Sequence, residues 1–262
     1  MSWIDVNGVC LRYRVEGRSG APVIVLIHEI GGSLESFDTA IAPLVSDFRI
    51  LSFDQRGSGL SEKVRSSFGI DELTGDLAEL IDRTCSAGTA CNFVTVAAGG
   101  LQALRLFEVR RDLVGSITLC NPALGVDTSR ASFLLERADF AETHGMRAGI
   151  ESTLDKSYQP ELRDDVVFPD VRGRYLANDP YGFAESNRVL ARTDMRGKLS
   201  SLDCPVMVVA GRHDQVRPHN LSEELAKQIP KCRFELIDGG HFLPSTAGVV
   251  LGELISDFVS SL

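Results

Sequence analysis

The stretch Phe93-Val94-Thr95-Val96-Ala97-Ala98-Gly99-Gly100 decides how this 262-residue chain folds. An apolar run ends there in small residues, and helical spacing resumes over Leu101 to Val109, so a strand must turn sharply into a helix. Small-x-nucleophile-x-Gly is the pattern of a nucleophile elbow, whose central residue sits on a strained turn with its side chain exposed above the sheet. Thr95-Val96-Ala97-Ala98-Gly99 fits that frame with Ala97 at the centre. A methyl group cannot attack a carbonyl. The segment is therefore either an elbow without its nucleophile or a tight packing joint. A left-handed backbone at Ala97 separates the two, because a plain joint has no reason to store strain.

Working outward, Val23 to Ile27 and Phe48 to Phe53 are continuous apolar runs, as expected of strands buried on both faces of a parallel sheet. Each ends in a polar loop, His28-Glu29-Ile30-Gly31-Gly32-Ser33 and Asp54-Gln55-Arg56-Gly57-Ser58-Gly59. An amphipathic segment through Val45 lies between them, and Ile70 to Thr84 has the spacing of a helix, with Leu73, Leu77, Leu80 and Ile81 on one face. Upstream, Asn7-Gly8 between Trp3–Val6 and Leu11–Val15 predicts an opening hairpin. Downstream, strands are expected at Val114 to Leu119, from Pro205 to Gly211 and over Arg233 to Ile237, with helices near Leu221 to Ile229 and over Val249 to Val259. This alternation predicts a mostly parallel, doubly wound α/β sheet. It breaks over residues 123–202, where helical patterns occur without a buried strand. That segment is expected to be a helical cap inserted between core segments 1–122 and 203–262.

Composition narrows the function. A net charge of −9 disfavours nucleic acid and anionic membranes as partners, and no apolar run is long enough to span a bilayer. Without a basic-then-apolar leader, the expected location is cytoplasmic. The six cysteines lack CxxC spacing, so neither disulfides nor zinc are expected. Gly57-Ser58-Gly59 lacks the Lys-Ser/Thr of a phosphate loop.

Two further loops follow strands, Gly211-Arg212-His213-Asp214 and Gly239-Gly240-His241-Phe242. Ligands of open α/β sheets bind outside the carboxyl ends of the strands. A histidine oriented by an aspartate is the acid–base half of a catalytic triad, and the order elbow, Asp, His is one of its known arrangements. His213 and His219 compete with His241 for that role.

Taken together, these motifs resemble the α/β-hydrolase superfamily, in layout the branch of enol-lactonases and cofactor-independent haloperoxidases. The resemblance covers nearly the whole chain. It implies an α/β-hydrolase fold, a His241 oriented by Asp214, an oxyanion hole from the N–H groups of Ile30 and Ala98, and a cap enclosing a small-molecule substrate. No cofactor and no metal are implied, and the oligomeric state stays open.

Two departures matter. Ala97 stands where the family has its serine, and Glu29 stands where glycine usually follows the histidine; Thr95 is a lesser change. Glu29 either reaches solvent or an arginine, or projects into the pocket as a proton carrier. The expected activity is noncovalent general-base chemistry on a small carbonyl-containing metabolite, most simply hydrolysis of an ester, lactone or C–C bond. A cofactor-free lyase or oxygenase, a serine hydrolase with an engineered Ser-to-Ala change, and a non-catalytic binding protein are the rivals. Nine arginines in the cap against thirteen acidic residues suggest an anionic substrate, with Arg188 and Arg192 as its expected partners and Arg196 nearby. One or two of the cap aromatics Phe133, Tyr158, Tyr175 and Phe183 are expected to line the pocket.

Overall fold

The computed structural model describes residues 1–262. Its eight strands are β1 (Ser2–Val6), β2 (Val9–Gly17), β3 (Val23–Ile27), β4 (Arg49–Phe53), β5 (Cys91–Val96), β6 (Val114–Cys120), β7 (Val206–Gly211) and β8 (Cys232–Ile237). They form one sheet in the order β1-β2-β4-β3-β5-β6-β7-β8. β1, β2 and β4 pair antiparallel, and every pairing from β4 to β8 is parallel. The opening hairpin turns on Asn7 and Gly8, both at positive φ (46° and 75°), the conformation a two-residue hairpin turn needs.

The helices are α1 (Asp38–Ile41), α2 (Ile70–Thr84), α3 (Gly99–Val109), α4 (Thr128–His144), α5 (Asp155–Ser157), α6 (Val167–Ala177), α7 (Pro180–Arg192), α8 (His219–Ala226), α9 (Leu243–Thr246) and α10 (Gly248–Ser260). The amphipathic segment expected through Val45 is shorter than its pattern suggests. It forms a 3₁₀ turn at Leu34–Phe37 and the single turn α1. No helix is long and apolar enough to cross a membrane.

All five residues of β3 and all six of β5 are buried, which is why both read as unbroken apolar or small-residue runs. A main core of 53 buried residues fills both faces of the sheet. Burying each of its larger aliphatic side chains is worth about 1.5–3 kcal/mol. Every element between β6 and β7 is helical. These helices have a small core of their own, including Met146, Leu154, Tyr158, Tyr175 and Phe183, and Phe242 from the loop after β8 packs into it. This helical segment is thereby anchored on the residue next to His241. A second tie runs from Gln159, whose side-chain amide donates to the His213 carbonyl at 2.8 Å.

Candidate active site

Ala97 has φ 48°, the left-handed conformation of an elbow. For a residue with a Cβ this costs roughly 1–2 kcal/mol, and the surroundings hold it there. The Ala97 N–H donates to the Cys120 carbonyl at 2.9 Å, and the Ala97 carbonyl accepts from the N–H groups of Ala123 (3.1 Å) and Gly100 (3.3 Å). Gly99 lets the turn close, because a Cβ there would stand 2.7 Å from the Ile27 carbonyl oxygen. Thr95, the larger residue two before the elbow, is buried and donates its hydroxyl to the Thr118 carbonyl at 3.3 Å.

The histidine arm is complete. His241 Nδ1 and Asp214 Oδ2 are 2.7 Å apart and both residues are buried. The other carboxylate oxygen accepts from the N–H groups of Val216 and Arg217, each at 2.8 Å, so the Asp214 carboxylate is fixed in place. His213 turns away to the exposed Asp238 at 2.5 Å. His28 is also structural, since its Nε2 accepts from the Gln55 N–H at 3.1 Å.

Asn121 escaped the sequence reading. It follows β6, is completely buried and has φ 44°. Its side-chain NH₂ donates to the carbonyls of Gly240 (2.9 Å) and His241 (3.1 Å), and its oxygen accepts from the Gly211 N–H at 2.8 Å. One amide thus ties the loop bearing His241 to the strand that leads into Asp214. The only hint in the sequence was a polar residue directly after the apolar run Val114 to Cys120.

The loop after β4 is architectural. Asp54 accepts from Arg12 Nε at 2.6 Å and from the N–H groups of Leu34 and Leu60, each at 2.7 Å. Arg56 makes a two-pronged pair with Asp76 at 2.6 and 2.7 Å.

A cavity of about 750 Å³ opens over these strand ends, with Glu29, Ile30, Ala97, Ala98, His241 and Phe242 in its wall. Neither the Ile30 nor the Ala98 N–H donates to any group of the protein. Glu29 is buried, with Oε1 accepting from the Ser36 hydroxyl at 2.9 Å and Oε2 without a partner. It therefore does not reach solvent or an arginine.

The side of the cavity formed by the helices between β6 and β7 differs from expectation. Arg188 is held by Glu142, Glu185 and Asp139 at 2.7 Å, and Arg192 is exposed; neither lines the cavity. The hydrogen bond with Glu142, together with those to Asp139 and Glu185, raises the Arg188 guanidinium above its ordinary range despite partial burial. The arginines that do line the cavity are Arg130, Arg137, Arg196 and Arg217. Arg137 has no carboxylate partner and donates through Nε to Asn187 Oδ1 at 2.7 Å. Burial, reinforced by the charge of Arg130, pushes it down to about 10. Of the four aromatics singled out in the sequence, Phe133, Tyr175 and Phe183 reach the cavity and Tyr158 does not.

Similarity to known proteins agrees with this geometry. The family described as alpha/beta hydrolase fold matches residues 22–247. The chain is 27% identical to 3-oxoadipate enol-lactonase 1 of Acinetobacter baylyi, over 98% of this chain and 95% of that one. It is 23% identical to 3-oxoadipate enol-lactonase 2 of the same organism, over 91% and 88%. Among solved structures, the enol-lactonase of Burkholderia xenovorans LB400 superposes with a TM-score of 0.92 at 28% identity, covering 99% of this chain and 100% of that one. The chain belongs to the α/β-hydrolase fold family and is a hydrolase-like enzyme.

Proposed function

We propose that the protein hydrolyses a small carboxylated ester or lactone without a covalent intermediate, using His241 as general base. The observation that carries this is a buried His241–Asp214 pair, 2.7 Å apart, sharing a cavity with an elbow that keeps its left-handed turn but has only a methyl group at its tip. In an ordinary elbow the serine hydroxyl takes the place next to the imidazole. With alanine there, a water molecule takes it.

In this scheme the imidazole Nε2 removes a proton from that water as its oxygen bonds to the substrate carbonyl carbon. The charge that develops on the carbonyl oxygen is met by the Ile30 and Ala98 N–H groups, which have no competing partner in the protein. Asp214 stabilises the imidazolium and holds its orientation. Collapse of the tetrahedral species breaks the carbon–oxygen bond to the leaving group, and the imidazolium returns the proton to that oxygen. Glu29, with one unpartnered oxygen in the same wall, is the second proton-handling group. Arg137 replaces Arg188 and Arg192 as the partner of the substrate carboxylate, because it faces the cavity and no carboxylate neutralises it.

A screen of esters, lactones and β-diketones, with intact-protein mass spectrometry during turnover, tests this. Carboxylated lactones or esters turning over with no acyl adduct on the protein is the expected result. Tight binding without any turnover would instead make the protein a receptor, and an adduct on any residue would exclude the water mechanism.

A further inference from the structure

At about 750 Å³ the cavity has more room than a single carbonyl and carboxylate require. From Ala97 and His241 it continues between the start of α4 and α8, reaching Arg130, Arg217, Leu221 and Gln228. Two guanidinium groups in this part of the wall make no ion pair, although Asp127 and the exposed Glu224 line the same cavity. Arg130 has its guanidinium carbon 4.7 Å from the Phe133 ring centre and makes no ion pair. The nearby Asp127 is occupied in capping α4, where it accepts from the Arg130 N–H and the Ser129 hydroxyl at 2.8 Å each. Arg217 has a buried Nε with no hydrogen-bond partner, and the adjacent Asp214 carboxylate is taken up by His241 and two backbone N–H groups. Burial lowers both arginines below their ordinary range, only partly offset by Asp127 for Arg130 and by Asp214 for Arg217. Arg196, in the same wall, is already neutralised by Asp194 at 2.5 Å.

Arg137 lines the same cavity two helical turns further along α4, which is about 10 Å of helix. Its guanidinium carbon is 5.8 Å from the same Phe133 ring. Two cationic stations therefore flank one aromatic ring. Desolvated positive charge costs free energy unless a counter-charge arrives, and here Asp127 and Asp214 offset only part of it at Arg130 and Arg217, while no carboxylate pairs with Arg137.

We propose that the substrate is a dianion, with one carboxylate on Arg137 and a second carboxylate held between Arg130 and Arg217. This rests on the cavity being the substrate site. The reacting carbonyl belongs to the inner end of the molecule, and the outer carboxylate selects the substrate by length and charge.

Isothermal titration of the full chain with hexanoate, adipate and suberate tests the assignment by binding alone. At least one diacid is expected to bind about ten-fold more tightly than the monoacid. Arg130→Gln and Arg217→Gln should each shrink that advantage, and the double variant should remove it. Arg137→Gln should weaken all three ligands. Arg217→Lys, which keeps the charge, should retain part of the preference, as a general loss of folding would not. Equal affinity for monoacid and diacids in the native chain, or a diacid advantage that survives the double variant, overturns the proposal. A diacid preference without any turnover would count against the hydrolase function alone. Turnover of a monocarboxylated lactone with no diacid preference would count against the second carboxylate site alone.

Discussion

The two arms of the site have kept different things. The arm after β7 and β8 has titratable side chains in a fixed geometry, with His241, Asp214 and the bonds that orient them all in place. The arm after β5 retains geometry alone, a left-handed turn clamped by three backbone hydrogen bonds around a side chain that cannot react. In the proposed mechanism the backbone of this turn still has a use, because the Ala98 N–H, which has no partner in the protein, meets the developing oxyanion. The backbone of an elbow and its nucleophile are thus separable parts.

The largest effect expected from testing this contrast is on the intact arm. His241→Ala should reduce kcat by a factor of about 10²–10⁴, the usual share of a general base. Asp214→Asn should also reduce it severely, because the imidazole loses its orientation and the stabilisation of its charged form. Steady-state rates on a substrate found in the screen decide, and near-native turnover in His241→Ala would place the chemistry elsewhere.

The stripped arm can be refitted. Ala97→Ser puts a hydroxyl on a turn that already has elbow geometry, within the cavity that His241 faces. Incubation with a small activated ester should then yield an acyl-enzyme, seen as a mass increase on the intact protein. Deacylation should be slow, because Glu29 crowds the wall where the family usually has glycine. A folded serine variant that never acylates would show that the two arms no longer face each other.

A smaller effect is expected at the tether between them. Asn121→Ala removes the three hydrogen bonds that fix the His241 loop against β7 and leaves a buried N–H and carbonyls without partners, at a cost of about 1–3 kcal/mol. Thermal unfolding should show that loss. Turnover on the same substrate should fall by about ten-fold while hexanoate affinity holds, since Arg137 is not part of the tether. A drop in Tm with unchanged kcat would make Asn121 purely architectural.

The smallest effect concerns the strain itself. Ala97→Gly should raise stability by no more than about 1 kcal/mol, because the relief of a positive φ is set against the greater freedom of glycine in the unfolded chain. Denaturant unfolding measures it, and a destabilised glycine variant would mean that the Ala97 methyl packs more usefully than its backbone is strained.

Much of the molecule was legible in the sequence because its signals are local. Continuous apolar runs mark strands covered on both faces, as β3 and β5 are, and Leu73, Leu77, Leu80 and Ile81 at helical spacing mark α2. The small residues at Ala97 to Gly100 marked a sharp turn, since Gly99 permits its close approach to β3, but the choice between an elbow and a packing joint waited for the φ of Ala97. The loops and chain order offered His241 and Asp214 beside His213 and His219, and the family resemblance chose between them. Partner choice was not legible, because it depends on which face of an element meets which neighbour. Asn187 and Arg188 are adjacent on α7, yet Asn187 is buried against Arg137 while Arg188 pairs with three carboxylates away from the cavity. A count of cap arginines cannot tell those environments apart. The role of Asn121 was hidden for the same reason, since its partners lie 90 to 120 positions away in the chain. The sequence by itself determined the fold and the strand-end loops that carry Ala97, Asp214 and His241, because periodicity and turn chemistry are written in neighbouring residues. Only the tertiary structure decided which charges are left unpaired around the substrate, because a charge is neutralised or left bare by whatever the fold brings beside it.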